Sequence, residues 1–248
     1  MTSIPIKAML LAAGRGSRMR PLSDVTPKPL LKIHGKPMIV WHLEKLAKSG
    51  IKEVIINTAW LEEQFPASLG DGSRWGLKIH YCMEQKNFGH ALGTAGGIIN
   101  ALPHLGEAFW LISGDIHAPD FDYTSATAQQ FIKEGHLARL WVIPNPPYHP
   151  QGDFGIDEHG FGLAGQAGPD GNLWTYASIA LMRPELFAGL PASPETSFID
   201  PILNAMQQKR VQVTPYHGRF ENVGTPEQLH NLNLSQPSQK HHKTLTAP

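Results

Sequence analysis

The chain is poor in cysteine: Cys82 is the single one in 248 residues. No disulfide can form within the chain, and such a composition suits a reducing compartment. Cys82 reads as a small core filler. Charge of neither sign is in excess, since Lys+Arg and Asp+Glu both number 21. Without a basic surplus the chain lacks the general footprint of a nucleic-acid binder, though a local cationic pocket is compatible with it. No apolar run approaches the roughly 20 residues that cross a bilayer, so no membrane partner is expected. The apolar run Ala8–Ala13 is too short for a signal-peptide core and leads straight into a glycine-rich stretch. A cytoplasmic location is the expectation. The 13 histidines show neither H-E-x-x-H nor a Cys/His spacing, so no zinc site is expected. No serine sits in a G-x-S-x-G elbow.

What is present concentrates in residues 6–31. The short run Ala8–Ala13 ends at Gly14, which suits a buried strand. Gly14, Gly16 and Ser17 follow, interleaved with Arg15, Arg18 and Arg20. Glycine lets backbone amides approach a ligand closely, and arginine supplies planar donor forks that match phosphate oxygens. Strand, glycine turn and cations together describe a polyphosphate site. Two familiar versions fail. Met19 stands where G-x-G-x-x-G needs its third glycine, and no Gly-Lys-Ser/Thr follows at P-loop distance. Lys28 lies between Pro27 and Pro29, which predicts a stiff, extended presentation of its ammonium.

The stretch Leu11–Pro29 resembles the signature of the sugar-1-phosphate nucleotidyltransferases (NDP-sugar pyrophosphorylases), L-A-A-G-x-G-[ST]-R-[LM]-x-P-L-T followed by P-K-P. Ser23 replaces the usual threonine. The resemblance extends over about Lys7–Leu229 and is densest at 11–31, 92–98 and 221–227. It implies a Rossmann-like α/β nucleotidyltransferase fold, with a mixed, mainly parallel sheet flanked by helices. It also implies NTP and a sugar 1-phosphate as substrates and pyrophosphate as a product. Transfer at an α-phosphorus is mostly positioning plus cationic stabilisation, a role the resemblance gives to Arg18 and Lys28. It makes Leu11, Ala13, Gly14, Arg15, Gly16 and Ser17 substrate-binding. Glu84 and Gly93 become the residues that read the base, and Asp153 and Gly155 those at the sugar. The aspartate of the Gly114-Asp115 step would hold Mg2+, which needs only one or two carboxylates. The family's second ligand, an aspartate before Gly-Thr-Pro, is replaced by Asn222. Glu221 beside it should point to the opposite face of its strand.

Taken in order, the sequence predicts strands at 7–12, 30–34, 53–57, 79–83, 109–113, 140–143, 161–163, 173–182 and 211–216. Helices are predicted at 37–50, 60–69, 98–102, 122–134 and along the stripe Phe198, Ile202, Met206. Thr225 with Gln228 reads as a capping box, and Pro226 suits the first helical position. Residues 1–234 are expected to form one domain and 235–248 a disordered tail. Oligomeric state is open, a monomer being compatible.

Longer family members grip the sugar phosphate with a lysine, yet none occurs between Lys133 and Lys209. Arg183 or the loop arginines would have to serve. The gap, with the Leu69–Gly76 run and Gly152-Asp153-Phe154, is similar to the short branch that uridylylates N-acetylmuramic acid 1-phosphate in cell-wall recycling. UTP and that sugar phosphate are the expected pair. Mannose- or heptose-1-phosphate guanylyl transfer stays open, because Leu92–Ile98 also suits it. So does a non-catalytic nucleotide-sugar-binding subunit, given Asn222 and the missing lysine.

Overall fold

A computed structural model describes residues 5–235; the tail expected at the C-terminus lies, from residue 236 on, outside the described residues. Seven strands make one sheet in the order Val211–Pro215, Ala138–Ile143, Thr175–Met182, Phe109–Ser113, Lys7–Leu11, Glu53–Thr58, Lys78–Met83. Thr175–Met182 runs antiparallel to both neighbours, and the remaining pairs are parallel. The sheet is mixed and mainly parallel, as the sequence predicts.

Alternation along each strand feeds two cores. Ala8, Leu10, Val54, Ile56, Trp110 and Ile112 pack on one face, with Ile39, Leu43 and Phe131 from the helices Met38–Lys48 and Ser125–Glu134. Met9, Ile55, Phe109 and Leu111 pack on the other, with Ile98, Ile202 and Met206 from the helices Gly93–Ala101 and Ile199–Gln207. Burial on both faces is why these strands read as unbroken apolar runs. The first strand pairs with Glu53–Thr58 on one side and Phe109–Ser113 on the other. The chain therefore reverses its direction of travel across the sheet here, and crevices for ligands open at the carboxyl ends of such strands.

Several local expectations are corrected. The glycine segment 93–97 is not a loop before a helix at 98–102; it is the first turn of the helix Gly93–Ala101. Packing overrides poor helix propensity there. A Cβ on Gly96 would come within 2.7 Å of the Ser193 carbonyl oxygen, and one on Gly97 within 2.6 Å of Asn57 Nδ2. The helix expected at 60–69 is confined to Gln64–Leu69, after Leu61 takes a positive φ of 50°. Pro66 sits in its first turn, where a missing N–H costs nothing. Lys28 is not on an extended segment but starts the 3-10 turn Lys28–Leu30. Lys32–Ile33 and Lys36–Pro37 then form a small hairpin. Gly162–Ala164 pairs with Phe154–Ile156, a strand the sequence does not predict. The C-terminal helix Pro226–Leu234 carries the expected capping box of Thr225 and Gln228. Met19, Ile33, Met38, Val223 and Leu229 form a third small core that fastens this helix beneath the glycine loop. Among the described residues no helix is long and apolar enough to cross a membrane.

His42, 1 % exposed, links the helix Met38–Lys48 to the segment after Phe109–Ser113. Its Nε2 lies 2.9 Å from the Ile116 carbonyl oxygen and its Nδ1 2.9 Å from the Tyr123 hydroxyl. A carbonyl only accepts, so Nε2 carries the proton and Nδ1 accepts from the tyrosine. Burial lowers the His42 pKa from 6.5 to about 4, against the opposing pull of the Ile116 hydrogen bond. The unfolded chain then binds the extra proton between those values. Stability is full above pH 6.5 and falls as pH drops toward 4, by about 3 kcal/mol at most. His42→Gln keeps a donor and an acceptor but does not titrate; urea melts across this window should show a flatter acid limb.

Candidate active site

A cleft of about 460 Å³ opens at the carboxyl ends of the strands Lys7–Leu11, Glu53–Thr58 and Phe109–Ser113. Leu11, Ala13, Gly14, Gly16, Ser17, Arg18, Lys28, Gly93 and Asp115, all expected from the sequence, line it. Asn57, Thr94, Ser113 and Gly224 join them. Asn57 and Ser113 carry a legible signal in retrospect, each a polar residue at the carboxyl end of a buried apolar strand. Thr94 and Gly224 lie in the segments 92–98 and 221–227 where the family resemblance is densest, though neither is singled out there.

The glycine loop is shaped by its neighbours. Gly16 takes φ 67°, a left-handed conformation that favours glycine. A Cβ there would also lie 3.1 Å from Lys28 Cβ, so the loop rests directly on the lysine stem. The Ser23 hydroxyl donates to the Gly16 carbonyl at 2.8 Å, and the Trp60 indole donates to the Ser23 carbonyl at 2.7 Å. The three loop arginines part ways. Arg15 stacks over Trp60, 4.2 Å from its centroid, outside the lining. Arg20 pairs with Asp24 at 2.9 Å. Arg18 makes no salt bridge among the described residues and lies near Gly224 across the cleft.

Lys28 Nζ meets Asp115 Oδ2 at 2.5 Å, and the Ser113 hydroxyl donates to Oδ1 at 2.6 Å. Burial pushes the Asp115 carboxyl up. The charge and hydrogen bond of Lys28, with that of Ser113, outweigh it and hold the pKa below the usual value. Each carboxylate oxygen still has a lone pair to give, because an ionised carboxylate accepts about four bonds. Asn222 pairs with Ile116, the residue next to Asp115. Its neighbour Glu221 is exposed. Asp115 lines the cleft and Asn222 stands outside its lining; both carry hard oxygen donors of the kind a Mg2+ ion takes, so their chemistry fits such an ion.

Besides Arg15, three expected substrate residues stand outside the cleft lining. Glu84 is fully buried. Its Oε1 accepts from Asn57 Nδ2 at 2.8 Å and its Oε2 from the Leu92 N–H at 2.7 Å. Asn57 Oδ1 in turn accepts from the Ala12 N–H at 3.0 Å. Glu84 is thus a strut that fixes the two backbone segments flanking the cleft. Asp153 is taken up by His149 Nε2 at 3.0 Å and the Tyr176 N–H at 2.8 Å. Gly155 lies in the short strand Phe154–Ile156, tight against the backbone of 166–168. Arg183 is also committed, to the Ile132 and His136 carbonyls and to Glu107.

A glycine loop after a first parallel strand, a cation at its back and a carboxylate at the next strand end define a nucleotide-handling α/β enzyme. The comparisons narrow this. A family model described as nucleotidyl transferase matches residues 7–166. An N-acetylmuramate alpha-1-phosphate uridylyltransferase of Neisseria meningitidis serogroup B is 42% identical over 222 residues, 89% of this chain and 94% of that protein. One of the same name from Caulobacter vibrioides is 28% identical, covering 78% and 82%. A mannose-1-phosphate guanylyltransferase of Mycobacterium tuberculosis is 38% identical but covers 47% of this chain and 32% of its own. HddC from Yersinia pseudotuberculosis, solved with GMP-PN, shares the fold at TM-score 0.70 and 20% identity, covering 92% and 98%. The chain belongs to the nucleotidyltransferase family.

Burial raises the Glu84 pKa, against the hydrogen bonds of Leu92 and Asn57 that favour the charged form. Both partners are donors, and Ala12 prevents Asn57 from turning its amide round. Glu84→Gln therefore sets an NH2 group against a donor. The expected cost is about 1–3 kcal/mol, read from urea denaturation, with looser nucleotide binding in a fluorescence titration.

Proposed function

We propose that this enzyme transfers the uridylyl group of UTP to N-acetylmuramic acid 1-phosphate. An acceptor phosphate oxygen bonds to the α-phosphorus, and the bond to the bridging oxygen of the β-phosphate breaks. Pyrophosphate leaves with that electron pair, and a UDP-amino sugar remains. The observation that carries the choice of substrates is the near end-to-end likeness to the Neisseria enzyme, 42% identical over 94% of its length. A role in cell-wall recycling, in the cytoplasm, goes with that pair.

The cleft supplies what such a transfer needs. Backbone amides of Gly14–Ser17 face the triphosphate. Lys28 lies behind them with a stem held against Gly16, so little entropy is lost in aiming its charge. Arg18 lacks a carboxylate partner among the described residues and lines the cleft, which leaves it to the acceptor phosphate in place of the absent lysine. Asp115, with the Asn222 amide, would hold Mg2+. Such an ion would supply positive charge that offsets the charge of the phosphates. Glu84 orders the wall rather than touching the base, and Asp153 and Gly155 shape the sugar end from behind.

Four NTPs against a set of sugar 1-phosphates, read by pyrophosphate release, test the proposal. UTP with N-acetylmuramic acid 1-phosphate should be the fastest pair. GTP with mannose 1-phosphate leading would overturn it, and binding without any pyrophosphate would favour a regulatory subunit. Lys28→Ala should lower kcat about 100-fold or more with the circular dichroism spectrum retained, since preorganised charge is worth that much. Near-normal turnover removes Lys28 from the mechanism. Asn222→Asp adds a charged ligand and should lower the magnesium concentration at half-maximal rate. An unchanged requirement would discard Asn222 as a ligand.

A further inference from the structure

At the edge of the sheet, away from the cleft, His80, Cys82 and His104 converge. His80 and Cys82 lie two residues apart on the edge strand Lys78–Met83 and so share a face. His104 closes the 3-10 turn Leu102–His104 that follows the helix Gly93–Ala101. One ligand atom from each of the three falls within 4.8 Å of the others. The two imidazoles stack with centroids 3.8 Å apart at 37°. Cys82 is buried beneath them, whereas both histidines are exposed.

We infer that His80, Cys82 and His104 form a binding site for a borderline-soft divalent ion of the zinc class. Tetrahedral zinc with bonds of about 2.0–2.3 Å sets its ligand atoms roughly 3.5 Å apart. Closing from at most 4.8 Å asks for no more than about an ångström of movement. The exposed imidazoles can provide it by rotation. Two imidazoles and a thiolate select zinc, cobalt or copper, and do not suit magnesium, which prefers hard oxygen. The site is therefore chemically separate from Asp115. The protonation states agree with the geometry. Burial first, then the neighbouring His104, lowers the His80 pKa and keeps its ring in the neutral, ligating form. Burial pushes the Cys82 thiol up to about 11; an arriving ion takes the place of that proton. Three protein ligands leave a fourth position for water, so the ion exchanges rather than being locked in. Its occupancy ties the edge strand to the far end of the helix whose first residues, Gly93 and Thr94, line the cleft.

The test is a titration of the tag-free full chain with Co2+ under reducing conditions. A thiolate-to-cobalt charge-transfer band in the near ultraviolet should rise to one equivalent and disappear on adding Zn2+. Cys82→Ser should abolish the band. His80→Ala and His104→Ala should each weaken cobalt affinity about tenfold or more, and the milder His104→Gln should do likewise without disturbing the fold. Zn2+ at about 100 times its Kd should raise the wild-type Tm by about 5 °C or more, and that of His104→Ala by about half as much or less at the same concentration. No thiolate band at saturating Co2+, or wild-type affinity in either histidine variant, overturns the site.

Discussion

The contact between Lys28 and Asp115 joins two segments 87 residues apart in sequence, and the cleft is arranged around it. Lys28 is 6 % exposed, and a cation so buried is tolerable only with a partner. Asp115 supplies the countercharge and Ser113 holds the other carboxylate oxygen. The pair thereby fixes the glycine loop, which rests on the lysine stem, against the end of the strand Phe109–Ser113. It also keeps a cation and an anion in store, one suited to phosphate oxygens and the other to a metal ion. A site that binds polyanions must hold positive charge without collapsing upon itself before the substrate arrives, and this pairing meets that requirement.

Behind the cleft a second polar chain does the same for the backbone. Ala12 N–H, Asn57, Glu84 and the Leu92 N–H form a line of donors and acceptors in which each buried oxygen is used. Low dielectric strengthens such a line when it is complete and penalises it when it is broken. It sets the spacing between the end of the first strand and the start of the helix Gly93–Ala101. Gly97 permits the helix to press onto this chain, because any Cβ would meet Asn57 and Glu84. The glycines of 93–97 thus serve two purposes. Gly93 lines the cleft, while Gly96 and Gly97 serve close packing within the protein.

Much of this was legible in the residues. The strand-and-glycine stretch at 6–19, the apolar runs at 53–57 and 109–113 and the capping box at Thr225 are local patterns with local causes, and the structure reproduces them. Legibility failed where side-chain partners decided the outcome. Glu84 follows a strand in the manner of a ligand-reading residue, yet two donors capture it inside the protein. Asp153 is likewise spent on His149 and a backbone N–H. The histidines and cysteine at 80, 82 and 104 have no recognisable metal spacing, because His104, 22 residues beyond Cys82, completes their cluster.

By itself the sequence determined the α/β class, the position of the glycine loop, the presence of Lys28 and Asp115 and the likeness to a nucleotidyltransferase, since each is written in a contiguous pattern or in periodic burial. Tertiary structure alone decided which carboxylates face the cleft and which act as struts, which loop arginine has neither an ion pair nor a ring contact among the described residues, and where Lys28 finds its counterion. Those outcomes depend on desolvation and on donors brought together from distant segments, quantities that no stretch of chain carries until the sheet has formed.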